Sequence, residues 1–219
     1  MGLPKNADYR VARGMWAGII GPVLFVSTFV TEGGLRVGFD SFAMYVSALS
    51  LGPRGWVQIL NFVVFGLLLM TFARGIAAAA TSRIGPTLLM IIGFGCLLVG
   101  PFVMDPVGTP RNLRSIHGEV HGIVSRIVFL LMPVSCFVFV RHFRSAPKWR
   151  LLWWCTLATG TTIAIAITAL ITATEMVAAQ NVVIPWLGLI ERAAIVPYMM
   201  WLFIFALTLR REGALPSAE

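Results

Sequence analysis

The sequence contains little charge. Only 12% of its 219 residues are Asp, Glu, Lys or Arg, whereas 58% are hydrophobic, and the mean hydropathy is +0.86. A soluble domain carries roughly a quarter charged residues, so this chain has too few to cover a water-facing surface. The composition excludes a disordered chain, a collagen-like repeat and a disulfide-stapled secreted scaffold. It predicts a membrane protein.

Lysine and cysteine are also scarce, and their positions exclude further chemistries. The two lysines, Lys5 and Lys148, lie in polar segments, so no span offers an amine for a retinal Schiff base. The three cysteines lie inside apolar runs without paired spacing and are typical of small buried hydrophobic residues. The chain also lacks a Gly-x-Ser-x-Gly nucleophile elbow and a Walker phosphate loop.

Basic residues outnumber acidic ones, but their distribution does not indicate nucleic-acid binding. The chain has 17 Lys and Arg against 9 Asp and Glu, a formal net charge of +8. These residues are scattered over short loops and form no continuous basic face, which nucleic-acid binding would require. We therefore expect membrane lipids as partners, with the excess charge meeting anionic headgroups, and no nucleic acid.

Six apolar segments, bounded by charge, Gly or Pro, run through the chain. About 20 apolar residues suffice for one helical span. We therefore predict an all-α fold, a polytopic bundle of six transmembrane helices in a single domain over 15–209. A leader over 1–14 precedes it and a tail over 210–219 follows. The predicted spans are 15–31, 55–80, 84–104, 116–140, 151–174 and 183–209.

The basic residues also predict the topology. With both termini in the cytoplasm, eleven of the 17 Lys and Arg lie on the cytoplasmic side, as the positive-inside rule requires of a cell-membrane protein. The segment at 33–54 is then the longest outer connection, and its apolar part is too short to span. We expect it to lie on the membrane or to fold over the bundle. Acidic residues concentrate at or near the outer face: Glu32, Asp40, Asp105, Glu119, Glu175 and Glu191.

Two histidines in the fourth segment are the main candidates for metal binding. His117 and His121 are four residues apart and share a helix face, a spacing that lets them hold one ion such as zinc, with Asp105 as a third ligand. Alternatively, both imidazoles hydrogen-bond loop carbonyls or Asp105 and order that end of the bundle. The third histidine, His142, lies just past the same segment. A bis-histidine haem between helices of one chain is therefore excluded.

Charged residues within the spans form the rest of a candidate ligand-binding cluster. A charge in the hydrocarbon core is costly and needs a partner or a purpose. We predict that Glu191 approaches Arg126, or that Arg192 reaches the carboxylate of Glu119 or Asp105. The alternative is an ion pair that only fixes helix register.

An ordered set of short motifs resembles a known family. The motifs are Ser47-Ala48-Leu49, Gly52-Pro53-Arg54-Gly55-Trp56, Asn61-Phe62, Asp105-Pro106, His117-Gly118-x-x-His121 and Arg192. Over nearly the whole chain this set resembles the prokaryotic integral membrane family catalogued as domain of unknown function 998. The resemblance implies a membrane protein of about six helices and draws attention to Asp105, His117, His121 and Arg192. It implies no reaction.

Two functions are consistent with these residues. The first is a non-enzymatic multi-pass membrane protein whose polar cluster, near the outer face, binds a small ligand or lipid, or which serves as an interaction subunit. The second is a membrane-embedded, metal-assisted hydrolase acting on a lipid or amphiphile. In that case His117, His121 and Asp105 would hold the ion, and Arg192 would steady a phosphate or carboxylate. The residues favour the first, because no general base and no certain third ligand stand out.

Overall fold

The computed structural model describes residues 5–79, 82–144, 147–180 and 184–212. These residues form an all-α fold with six long helices, and each apolar segment predicted from sequence overlaps one of them. The helices are α1 (Lys5–Leu35), α2 (Gly55–Ala79), α3 (Ile84–Val99), α4 (Ile116–Phe143), α5 (Arg150–Gln180) and α6 (Leu187–Glu212).

Five of the helices, all except α3, are long and apolar enough to cross a membrane. The prediction of a multi-pass membrane bundle is confirmed at this level. Helix α3 has 16 residues and rises only about 24 Å at 1.5 Å per residue, less than the hydrocarbon thickness of about 30 Å. It ends at Val99 rather than at residue 104, because Pro101 has no N–H to donate to the carbonyl four residues before it.

Other helix ends differ from the predicted spans in the opposite direction. Helix α1 begins at Lys5 rather than at residue 15, and α5 continues to Gln180 rather than ending at 174. Hydropathy marks only the apolar part of a helix, whereas hydrogen bonding continues into its polar turns. The predicted ends at 80 and 183, the first four residues of the leader and residues 213–219 of the tail lie outside the described residues.

The six helices form a ring. Each helix packs against the next one along the chain, and α6 returns to pack against α1. An ion pair between Glu32 and Arg54 joins the end of α1 to the start of α2. At the other end of the ring, an ion pair between Lys148 and Glu212 joins the start of α5 to the end of α6. We call the end of the ring at which α1, α3 and α5 finish and α2, α4 and α6 begin the mouth end.

Glycine allows α1, α2 and α3 to pack with their backbones close together. A Cβ atom on Gly66 of α2 would lie 2.5 Å from the carbonyl oxygen of Gly93 on α3, and one on Gly14 of α1 would lie 2.6 Å from the Cα of Gly75 on α2. Neither position has room for a side chain. Small residues permit such approaches in lipid, where close van der Waals packing replaces the hydrophobic effect as the force between helices.

Residues 36–54, here called the cap segment, connect α1 to α2. The segment contains a 3-10 turn over Val46–Ser50 that contacts α1, α2 and α6. It turns at Gly38 and Gly52, both with φ of +77°, a conformation that is costly for residues with a Cβ. Of the two predicted positions for this segment, the structure therefore shows the one folded over the bundle.

Candidate functional site

The ring encloses a cavity of about 750 Å³ at the mouth end, lined by residues from all six helices and from the cap segment. Its deeper wall is apolar and its rim is polar. The apolar wall includes Phe62, Phe65, Ile92, Ile167, Ile195 and Met199, and the polar rim includes Tyr45, Asp105, Arg114, His121, Glu175 and Glu191. Arg126 also lines the cavity but lies deeper, about 15 Å along α4 from its first residue. A site of this kind can hold a molecule with one polar and one apolar end.

Four of the six residues predicted for the ligand-binding cluster line this cavity. They are Asp105, His121, Arg126 and Glu191. The other two, His117 and Arg192, lie beside the cavity without lining it.

Glu191 fixes the cap segment to α6. Its side chain is buried, and Oε2 accepts a hydrogen bond of 2.6 Å from the backbone N–H of Val46. The contact satisfies a buried backbone N–H that would otherwise have no acceptor. The contact joins positions 145 residues apart in the chain. It therefore holds the cap segment against the start of α6, at the mouth end.

Arg192 also binds the cap segment, on the neighbouring side of α6. Its Nη1 donates to the carbonyl oxygens of Met44 and Gly188, each at 2.9 Å. The guanidinium carbon lies 5.8 Å from the ring centre of Phe29 and 5.9 Å from that of Phe39. Its charge is therefore satisfied by carbonyls and aromatic faces.

The predicted ion pairs of the cluster are wrong. Among the described residues, neither Glu191 with Arg126 nor Arg192 with Glu119 or Asp105 comes within 4.0 Å. Successive helical residues point about 100° apart, so Glu191 faces the cavity and the Val46 N–H, whereas Arg192 faces the Met44 carbonyl. Backbone groups of the cap, which sequence spacing could not place, take the positions expected of the charged partners.

Asp105 is engaged with the start of α4. Its carboxylate accepts from the backbone N–H of Ser115 at 2.9 Å and from the Ser115 hydroxyl at 2.8 Å. The same hydroxyl accepts from the N–H of Gly118 at 3.0 Å, which makes Ser115 the N-cap of the helix. A carboxylate in this place also interacts favourably with the helix dipole. Asp105 thus joins the loop after α3 to α4.

Both histidines of the predicted metal site contact backbone carbonyls. The buried His121 places Nδ1 at 2.7 Å from the oxygen of Phe102, and the exposed His117 places Nδ1 at 3.4 Å from the oxygen of Pro101. This is the arrangement of the alternative hypothesis. Within the part of the chain that the structure describes, no three His, Cys, Asp or Glu side chains are placed to hold a metal ion.

We expect His121→Ala to lower the free energy of unfolding by about 1 kcal/mol, because it leaves the Phe102 carbonyl without its donor. His117→Ala should cost less, since its contact is longer and exposed. Thermal unfolding in detergent, with zinc quantified per chain in the same samples, checks this. Stoichiometric zinc in the unmodified protein, lost in both variants, would contradict the hydrogen-bonding role and favour the hydrolase.

Comparison with known proteins identifies the family. A family model described as "Protein of unknown function (DUF998)" matches residues 19–208. The chain belongs to this family. The matched range contains every residue that lines the cavity, and the match confirms the resemblance seen in the sequence. Searches of curated proteins and of solved structures returned no significant match.

Tyr45 is a rim residue of this DUF998 protein that the sequence analysis missed. Its hydroxyl is buried and has no hydrogen-bond partner among the described residues, although it lines the cavity. Burial, and then the nearby Glu191 carboxylate, raise the pKa of Tyr45 above its usual range. The hydroxyl therefore stays protonated at physiological pH. A single tyrosine in a mildly apolar loop carries no signal of this role.

The bidentate pair between Glu32 and Arg54 supports the site from outside the cavity. Arg54 Nη2 lies 2.5 Å from Glu32 Oε1, and Nε lies 3.1 Å from Oε2. The hydrogen bond to Glu32, more than its charge alone, raises the pKa of Arg54. The pair brackets the cap segment, because Glu32 precedes it on α1 and Arg54 is its last residue. This fork geometry fixes the two ends of the cap together.

Proposed function

We propose that this DUF998 protein binds a small amphiphilic molecule or lipid in the cavity inside its helical ring. The observation that carries the proposal is the cavity itself, in which a polar rim faces an apolar wall supplied by all six helices. Its volume of about 750 Å³ falls in the range of small-molecule sites, roughly 300–1,000 Å³.

The two parts of the cavity favour different parts of a ligand. The aromatic and aliphatic side chains of the deeper wall offer water no hydrogen bonds, and apolar cavities of this kind take up apolar molecules. The polar part of the lining offers the Arg126 guanidinium as a cation. A ligand with a hydrocarbon chain and a polar head satisfies both, whereas a wholly polar solute would leave the deeper wall uncovered.

The proposal includes a topology. We propose that α3 is the sixth span, that both termini are cytoplasmic, and that the mouth end faces the outside of the cell membrane. The opposite end carries the basic residues that favour the cytoplasm. These include Arg74, Arg83, Arg141, Arg144, Lys148, Arg210 and Arg211. Packing of the short α3 between α2 and α4, both long enough to span, supports it as a span.

Gly122 offers a way to test occupancy without disturbing the fold. It lines the cavity, and a Cβ atom built on it would meet nothing within 4 Å. Phe in place of Gly122 would therefore fill the cavity rather than clash. Gly34 provides a matched control, because its Cβ would also meet nothing within 4 Å but it does not line the cavity.

We expect Gly122→Phe to reduce ligand capture about tenfold, equivalent to about 1.4 kcal/mol of binding free energy, because the ring takes up space that the ligand would occupy. The protein is reconstituted into phosphatidylcholine vesicles containing a dodecyl amphiphile with a diazirine on its chain, irradiated, and mapped by peptide mass spectrometry. Labels should fall on the deeper wall and should persist in Gly34→Phe. Equal labelling of both variants, or labels confined to the outer faces of the helices, would overturn the proposal.

A further inference from the structure

Helices α4 and α5 are in contact at the end of the ring away from the mouth. A Cβ atom on Gly160 of α5 would lie 3.0 Å from Cβ of Cys136 and 3.1 Å from the ring of Phe137, both on α4. Phe137 therefore marks the side of α4 that faces α5, and Gly160 marks the side of α5 that faces α4.

Nearer the mouth, the same two sides line the cavity instead of closing it. Arg126 lies about three helical turns before Phe137 on α4, and Ile171 lies about three turns after Gly160 on α5, on the facing sides. Both line the cavity. Arg126 is exposed, and Ile171 is 44% exposed. Leu130, between Arg126 and Phe137, also lines the cavity and is 52% exposed.

The burial of the whole helices agrees with an opening at this position. Only 22% of the most apolar stretch of α4 and 28% of that of α5 is buried, against 44–50% for α1, α2 and α6. Among these five helices, α4 and α5 are thus the least buried. A gap between them would join the cavity to the hydrocarbon core of the bilayer.

Arg126 lies at this gap, and its guanidinium contacts no carboxylate of the described residues. Among the described residues it has no ion pair within 4.0 Å and no hydrogen bond from its side chain. It lies about 15 Å along α4 from Ile116, where an unpaired charge is costly. Of the other charged groups that line the cavity, Asp105 binds Ser115, Glu191 binds Val46, and Arg114 pairs with Glu119 at 3.6 Å. Glu175, one turn after Ile171 on α5, also lines the cavity and has no ion pair within 4.0 Å among the described residues, so Arg126 is the one cation of the lining left without a carboxylate.

We infer that the cavity opens sideways between α4 and α5, and that Arg126 at this opening binds the phosphate group of a membrane amphiphile whose chain enters from the bilayer. The inference rests on the proposed function and specifies its ligand and route. A guanidinium binds phosphate through two parallel hydrogen bonds. A hydrocarbon chain gains little free energy on moving from lipid into an apolar cavity. The headgroup contact must therefore supply the free energy that favours the bound state.

The headgroup assignment is tested by equilibrium binding to the purified protein in dodecyl maltoside, with three probes. Dodecyl phosphate carries both parts of the ligand, inorganic phosphate only the head, and dodecanol only the chain. We expect dodecyl phosphate to bind best and Arg126→Gln to weaken it about tenfold, as loss of a charged hydrogen-bond partner does. Arg141→Gln is the matched control, since Arg141 is exposed on α4 but lies outside the cavity.

The side entrance is tested by the rate of capture from a bilayer. Vesicles carrying a diazirine-labelled dodecyl phosphate are mixed with proteoliposomes and irradiated after increasing delays. Ile171→Trp should slow labelling of the cavity about tenfold, which corresponds to about 1.4 kcal/mol in the barrier. Ile165→Trp should not, because Ile165 is on α5, is 67% exposed, and does not line the cavity.

The outcomes separate this inference from the proposed function. If Gly122→Phe blocks dodecyl phosphate but Arg126→Gln binds it as tightly as the unmodified protein, the headgroup assignment falls and the cavity remains a binding site. Inorganic phosphate binding as tightly as dodecyl phosphate would replace the amphiphile by a free anion. Equal rates for both tryptophan variants would overturn the side entrance. If no probe binds and Gly122→Phe changes nothing, the proposed function fails as well.

Discussion

Glu191→Ala is expected to lower the free energy of unfolding by about 3 kcal/mol and to release the cap segment from the mouth of the ring. The variant removes the carboxylate that accepts the buried N–H of Val46 at 2.6 Å and leaves that N–H with no acceptor. It also leaves a void in α6 next to the cavity. Arg192 would keep its bond to Met44, so the cap should loosen around Val46 first.

Limited trypsin digestion measures this release directly, because Arg36 and Arg54 stand at the two ends of the cap segment. Cleavage after either residue should be faster in Glu191→Ala, in parallel with a lower unfolding temperature in detergent. Glu191→Gln is the matched control, since its amide oxygen can still accept from Val46 and its volume is nearly unchanged. Cleavage of Glu191→Ala at the rate of the unmodified protein would show that the carboxylate does not hold the cap.

The helices of this fold could be predicted because hydropathy is a local property of the sequence. Each apolar run is long enough to form a helix, and lipid requires the backbone to bond within its own segment. Helix α3 is the exception. Its apolar run continues past Val99, but Pro101 ends the helix there, and a hydropathy window does not register the loss of one N–H.

Part of the candidate site could be predicted for a related reason. Antiparallel spans bring every second inter-helix connection to the same end, so polar residues near those connections meet. That argument places Asp105, His121, Arg126 and Glu191 together, and all four line the cavity. It depends on the order of the spans and not on any contact between them.

The partners of these residues could not be predicted from the sequence. Glu191 and Arg192 bind backbone groups of the cap segment, and a backbone group leaves no trace in residue type or spacing. The cavity itself exists because α6 closes the ring on α1, which is a property of the whole assembly. Gly122 shows the same limit, because a glycine that lines an empty space looks in sequence like one that packs against a helix.

Asp105→Ala is expected to destabilise the protein by about 2 kcal/mol, because it removes two hydrogen bonds to Ser115 and a negative charge at the start of α4. Hydrogen exchange of the first-turn amides of α4 should accelerate, and chemical unfolding should report the loss of stability. Glu119→Ala is the control, because it removes the same charge from the first turn of α4. Its ion pair with Arg114 is exposed and 3.6 Å long, so its removal should cost much less.

Gly118→Ala should reproduce the effect of Asp105→Ala from the other side of the contact. A Cβ atom on Gly118 would overlap the Asp105 carboxylate and lie 3.0 Å from the Asp105 backbone nitrogen. Alanine stabilises a helix relative to glycine by about 1 kcal/mol. A net loss of stability would therefore show that displacing the Asp105 carboxylate costs more than this gain. In the Asp105→Ala background most of that clash is gone, and the alanine should become less harmful or stabilising. Additive effects of the two substitutions would contradict the contact between Gly118 and the Asp105 carboxylate.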